Sequence, residues 1–227
     1  MNAVAGATRV MNRPRLLAMG LPIALFLTTT AVFLGLTSWL GKPTGYILGF
    51  LFYWVFWCLL VPRFILGKRD FYSLLTDRIP LFTRINWSAA LLFLVITVVT
   101  LFMYLSGFLR ATWILLLFSV PCATIDGVCE EILWRGTYVR VFDGKPLVAV
   151  FYAALGFAVW HFVPQMVFPA ATGAPLFVLS TFLLGVSYGF IAYRTGSAKW
   201  TAISHSLSGV GSENYDRSFP ETLTTSS

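Results

Sequence analysis

Residues 16–40 read LLAMGLPIALFLTTTAVFLGLTSWL, a run without a single charged side chain. About 18 or more apolar residues in a row mark a membrane-crossing helix. Arg9, Arg13 and Arg15 precede the run. That start resembles a signal peptide, but a signal-peptide core is only about 7–15 residues long, so the run reads as an uncleaved first span. Working outward, similar blocks at 45–66, 87–107, 111–134, 147–168 and 174–193 predict five more spans. A shorter apolar segment, 198–210, is too short to cross a full bilayer as a helix. The predicted fold class is all-α: a polytopic transmembrane helix bundle of about six full spans plus a short seventh membrane segment. Composition agrees, with 58% hydrophobic and 11% charged residues, against about 25% charged in soluble domains. No soluble domain fits between the blocks. The expected organisation is a cytoplasmic N-terminal segment (1–15), one membrane domain (16–210) and a polar, disordered tail (211–227).

The net charge of +7 does not point to nucleic acid, because the basic residues sit at the ends of apolar blocks, as topology signals do. With the N-terminus in the cytoplasm, that side holds Arg63, Lys68, Arg69, Arg78, Arg84, Arg135, Arg140, Lys145, Arg194 and Lys199, whereas the other side holds only Lys42 and Arg110. The expectation is a multi-pass integral protein of a bacterial inner (cell) membrane, with the lipid bilayer itself as a partner and its anionic headgroups meeting the basic residues. The connection between 66 and 87 mixes charge with Phe71, Leu74, Leu75, Leu81 and Phe82, the pattern of a segment lying on the membrane surface. Cys58, Cys122 and Cys129 all fall in apolar segments, without metal-site spacing, and read as packing.

Ionisable residues inside spans are costly and mark function. The fourth span carries Asp126, Glu130 and Glu131, followed by Arg135. The fifth carries His161 and the short last segment His205, and these are the only two histidines. At about 100° per residue, Glu130 and Glu131 point in different directions. Arg135 lies four residues after Glu131, so these two pair in the favoured orientation. Glu130 is left facing elsewhere, with Asp126 one turn before it on the same face. Counted from Arg140, Lys145 and Lys199, the residues Glu130, His161 and His205 stand about 9–24 Å up their helices, which predicts a pocket reached from the cytoplasm. Phe157 is one turn before His161.

Three runs carry a resemblance. Glu130-Glu131-Ile132-Leu133-Trp134-Arg135 resembles the EExxxR motif of the CAAX-protease and bacteriocin-processing (CPBP, Abi-type) family of intramembrane glutamic endopeptidases. Phe157-Ala158-Val159-Trp160-His161 resembles its FxxxH motif, and His205 resembles the start of its third, HxxxN or HxxxD. The resemblance covers about residues 115–210. At position 209, where the third motif has Asn or Asp, this chain has Gly, and the family's usual helix after that motif is absent.

The resemblance implies an intramembrane endopeptidase that hydrolyses a peptide bond of a membrane-anchored peptide or protein. Its catalytic residues would be Glu130 as general base, His161 as holder of the water and His205 at the oxyanion. Glu131, Arg135, Phe157 and Asp126 would support them. Such a mechanism needs no cofactor and no metal; zinc is the other reading that Glu and His allow. Two other classes fit some of the residues: a catalytically silent scaffold or immunity protein, suggested by Gly209, and a proton-coupled carrier with Asp126, Glu130 and His161 as a relay.

Overall fold

The computed structural model describes residues 2–110, 112–170 and 172–213. The expected tail lies, from residue 214 on, outside the described residues. The helices, in chain order, are α1 (Asn2–Leu40), α2 (Lys42–Leu66), the short α3 (Lys68–Tyr72) and α4 (Trp87–Arg110). Next comes α5 (Trp113–Glu131), continued by Ile132–Thr137 and Tyr138–Val141. The last three are α6 (Leu147–Val167), α7 (Ala174–Thr195) and α8 (Lys199–Glu213). No strand occurs among the described residues, so the fold class is all-α as expected.

Five of these helices are long and apolar enough to cross a membrane: α1 from Arg13, α2, α4 from the turn at Arg84, α6 and α7. The fourth expected span is helical too, but it is not one of the five. Asp126, Glu130 and Glu131 interrupt its apolar character; its first part, with Trp113, Leu117 and Phe118, is exposed, its later part from Cys129 on is buried, and α8 packs along it. The short seventh segment is that partner, α8. The outer surface is apolar: Ile23, Leu27, Phe102 and Trp113 are 66%, 62%, 79% and 73% exposed. Exposed apolar surface on this scale suits lipid and not water. The chain is an integral membrane protein.

Two features place the functional side chains. First, α2, α5 and α6 each contain a wide π-helical stretch, at Tyr53–Leu60, Ile132–Thr137 and Leu147–Tyr152. Such stretches interrupt helices most often at functional sites. In α5 the wide turn is closed by Thr137, whose hydroxyl donates to the Ile132 carbonyl at 2.9 Å. Second, α5 and α8 meet with almost no side chain between them. A Cβ at Gly127 would stand 2.6 Å from Ser206 Oγ, and one at Gly209 would stand 2.9 Å from Ala123 Cβ. Small residues that let backbones touch are the usual means of packing helices in lipid, where burial of apolar surface gives no net drive.

The connection 67–86 does more than lie on the surface. Leu74 and Leu81 are fully buried. The Ala198 amide donates to the Leu74 carbonyl at 2.8 Å, and the amides of Arg78 and Ile79 both donate to the Thr195 carbonyl. Asp77 Oδ2 accepts from Trp200 Nε1 at 2.8 Å and from Lys199 Nζ at 3.3 Å. Arg194 donates to Asn86 Oδ1 and to the Ile85 carbonyl. The segment thus clamps the basic ends of α7 and α8. Leu74 and Leu81 look inward, whereas Tyr72, Ile79 and Phe82 are exposed, and the segment bonds to peptide groups on both sides of the turn at Gly196, which is in left-handed conformation (φ 68°).

Candidate active site

The lower half of the site is an ion network. Arg135 Nη1 stands 2.9 Å from Glu131 Oε1, and both side chains are essentially unexposed. This is the pairing that their four-residue spacing predicts. The same oxygen also receives His205 Nδ1 at 3.0 Å, a contact the spacing does not reveal because α8 is remote in sequence. The Arg135 guanidinium lies over the Phe157 ring at 4.1 Å and 5.6 Å from the Tyr188 ring centre, so the cation is within attractive range of two aromatic rings. Tyr188 donates to Ser204 Oγ at 3.0 Å, and Thr97 reaches the same oxygen at 3.0 Å. These bonds tie α4, α7 and α8 together around the network.

Glu130 points away from Arg135, into a cavity of about 620 Å³ whose wall also includes Asp126, Phe157, His161 and His205. Glu130 Oε2 is 3.6 Å from His205 Nε2 and is buried without a hydrogen-bond partner among the described residues. Asp126 Oδ1 accepts from Trp54 Nε1 at 2.8 Å. One atom each of Asp126, Glu130 and His205 lies within 4.8 Å of the others. Carboxylates accept, and a neutral His205 that gives its Nδ1 proton to Glu131 also presents an acceptor at Nε2. Three acceptors facing one another need a proton, a water or a cation among them.

His161 sits at the break between the two straight parts of α6. Its Nδ1 is 2.8 Å from the Phe157 carbonyl. A carbonyl only accepts, so Nδ1 carries the proton and a neutral ring leaves Nε2 as an acceptor. The ring stands edge-on to Phe157 and Trp160, with centres 4.4 Å and 4.9 Å away. Every expected site residue therefore lines the cavity or belongs to the ion network beneath it.

Sequence reasoning missed three neighbours. Trp54 holds Asp126. Tyr53 lies beside Glu130 and accepts from Trp134 Nε1 at 2.8 Å. Tyr188 covers Arg135 and stands 6.0 Å from the His205 ring. Each lies in an aromatic-rich apolar block, where the one usable signal is general: a buried Trp or Tyr needs a partner for its polar end.

The position of the cavity departs from the expectation of a cytoplasmic approach. Below Glu130, toward the basic end, Leu133, Trp134 and Tyr138 are fully buried. On the α4 side, Phe82, Phe93 and Trp200 pack edge to face with ring centres 5.2–6.2 Å apart. The cavity lies on the opposite side of Glu130. Counted along α6, His161 stands about 24 Å from Lys145 but only about 9 Å from Val167 at the other end of its helix.

A family model, type II CAAX prenyl endopeptidase Rce1-like, matches residues 110–210. That segment carries Glu130, Arg135, His161 and His205 and bears out the resemblance read from the three motifs. The match is to a family of membrane proteases and spans somewhat less than half of the chain. No curated protein and no solved structure matches the chain.

Proposed function

We propose that the chain is an intramembrane endopeptidase in which Glu130 activates the water that attacks a peptide carbonyl of a membrane-anchored substrate. The observation that carries this reading is the approach of Glu130 and His205 to 3.6 Å in a cavity that His161 also lines. Glu130 takes a proton as the water oxygen bonds to the carbonyl carbon. His161, its Nδ1 proton committed to Phe157 O, accepts the second hydrogen of that water through Nε2. His205, anchored by Glu131, offers Nε2–H to the developing oxyanion when its ring is doubly protonated. Glu130 then passes its proton to the leaving amine, and the C–N bond breaks. Glu131 and Arg135 hold His205 and the helix, and act through them.

A second reading rests on the cluster of Asp126, Glu130 and His205. Those three types are ordinary zinc ligands, and a divalent ion among them would supply the missing counter-charge and polarise the water. In both readings the protein sits in the cell membrane with its basic end in the cytoplasm.

Purified protein in liposomes, offered a library of membrane-anchored reporter peptides, tests both. Cleavage abolished in Glu130→Ala and His161→Ala but kept in chelator is the outcome expected of the glutamate mechanism. Cleavage abolished by chelator and restored by zinc selects the metal reading. Full cleavage by Glu130→Ala refutes both.

A further inference from the structure

The cavity has a direction. On α2, Tyr46, Phe50 and Trp54 line it, about 6, 12 and 18 Å from the Lys42 end. On α7, Phe177 and Ser180 line it, about 5 and 9 Å from the Ala174 end. On α6, His161 and Phe157 line it, about 9 and 15 Å from the Val167 end. Lys42 and Arg110 apart, all of these ends are the ones remote from the arginines and lysines. The same holds for the lining residues that are exposed. Met103 is 63% exposed, and Cys122 and Ser180 are exposed as well. Met103 is about 10 Å from the Arg110 end of α4, and Cys122 about 14 Å from the Trp113 start of α5. The mouth is therefore on the half of the bundle away from the basic end, between α4, α5 and α7. Toward the basic end, the buried Glu131–Arg135 pair and the aromatic clusters close the floor.

The wall chemistry says what enters. Beyond Asp126, Glu130 and His205, the lining contains no charged side chain among the described residues. At the mouth, Ser180 and Thr181 donate to the Phe177 carbonyl, and Gln165 Oε1 accepts from the Ala170 amide. A charge carried in at the mouth would lose its water without meeting a counter-charge there.

We infer that the site is loaded from the non-cytoplasmic half of the bilayer, and that it takes an uncharged, aliphatic or aromatic polypeptide segment lying at that depth. The inference uses the endopeptidase reading only to call the guest a substrate. The direction of the mouth stands on geometry, and its side of the membrane on the positive-inside rule.

The test is side-specific labelling in cells. Met103→Cys and Ser180→Cys are made in a Cys122→Ala background, in which the remaining thiols, Cys58 and Cys129, are 0% and 5% exposed. A reference variant, Asp143→Cys, places a thiol at the basic end. A small membrane-impermeant thiol reagent is added outside intact cells and, separately, to inverted membrane vesicles. The expected result is labelling of Met103→Cys and Ser180→Cys from outside, and of Asp143→Cys only in inverted vesicles. Labelling of the mouth positions from the same side as Asp143→Cys, or from neither side, overturns the inference. So does a swapped orientation with Asp143→Cys labelled from outside. Labelling needs no turnover, so a protein that labels as expected but cleaves nothing counts against the endopeptidase reading and not against this one.

Discussion

Replacing Gly209 with Asn restores the residue type that the third family motif carries, and by pattern alone it should improve the site. The structure predicts the opposite. A Cβ at 209 meets Ala123 Cβ at 2.9 Å and its Cα at 3.4 Å, and Ala123 is itself 2% exposed on the packed helix α5. Overpacking of this kind costs about 1–3 kcal/mol, while the better helix propensity of Asn over Gly returns only a few tenths of a kcal/mol. At about 2–4 °C per kcal/mol for a chain of this length, Gly209→Asn should melt about 2–10 °C below wild type. Thermal unfolding in detergent, followed by tryptophan fluorescence, reads this directly. Adding Ala123→Gly makes room, so the double variant should be more stable than the sum of the single effects by about 1–2 kcal/mol. Cleavage by Gly209→Asn should fall. If it melts with wild type, and Ala123→Gly adds to it without coupling, the seam between α5 and α8 is not as tight as described and the reasoning fails.

Glu130→Gln keeps shape and hydrogen-bonding size but loses the base. Reporter cleavage should drop by at least about 100-fold with cooperative unfolding retained, and a variant that still turns over normally removes Glu130 from the chemistry. Arg135→Leu strands the Glu131 carboxylate in the interior and should destabilise by about 3–5 kcal/mol, with much of the loss recovered in Glu131→Leu/Arg135→Leu; equal melting curves for all three proteins would dismiss the pair as a structural element. Trp54→Phe deletes the 2.8 Å bond to Asp126 and should lower stability by about 1–3 kcal/mol in the same assay; no shift means that Asp126 is held by other groups. Asp77→Ala should release the clamp on α8 and speed tryptic cutting at Lys68, Arg69, Arg78 or Arg84 in inverted vesicles, and unchanged digestion would show that the backbone bonds to Thr195 suffice.

Much of this was legible in the sequence, for identifiable reasons. Spans read well because lipid demands long uncharged runs, and the pairing of Glu131 with Arg135 follows from helix periodicity alone. The convergence of Glu130, His161 and His205 was readable only as motif order, since nothing in a linear pattern fixes helix tilt. The direction of the cavity was not readable. It depends on which half of each helix carries bulky aromatics opposite one another. The clamp at 67–86 was hidden too, because Leu74 and Leu81 have the same spacing whether they face lipid or the ends of α7 and α8. The bond from His205 to Glu131 joins residues 74 positions apart, beyond the reach of any local rule.

The contact of α5 with α8 at Gly127 and Gly209 has a mechanical consequence. Backbones that touch have no slack between them, so Glu130 and His205 ride on one rigid body. Whatever breathing admits a polypeptide must come from the walls outside that body: α2 with Trp54, α4 with Met103 and α7 with Phe177. Of these, α2 is latched to the rigid body by the Trp54–Asp126 bond. A swing of α2 would break that latch and free an Asp126 oxygen beside Glu130 at the moment a guest arrives.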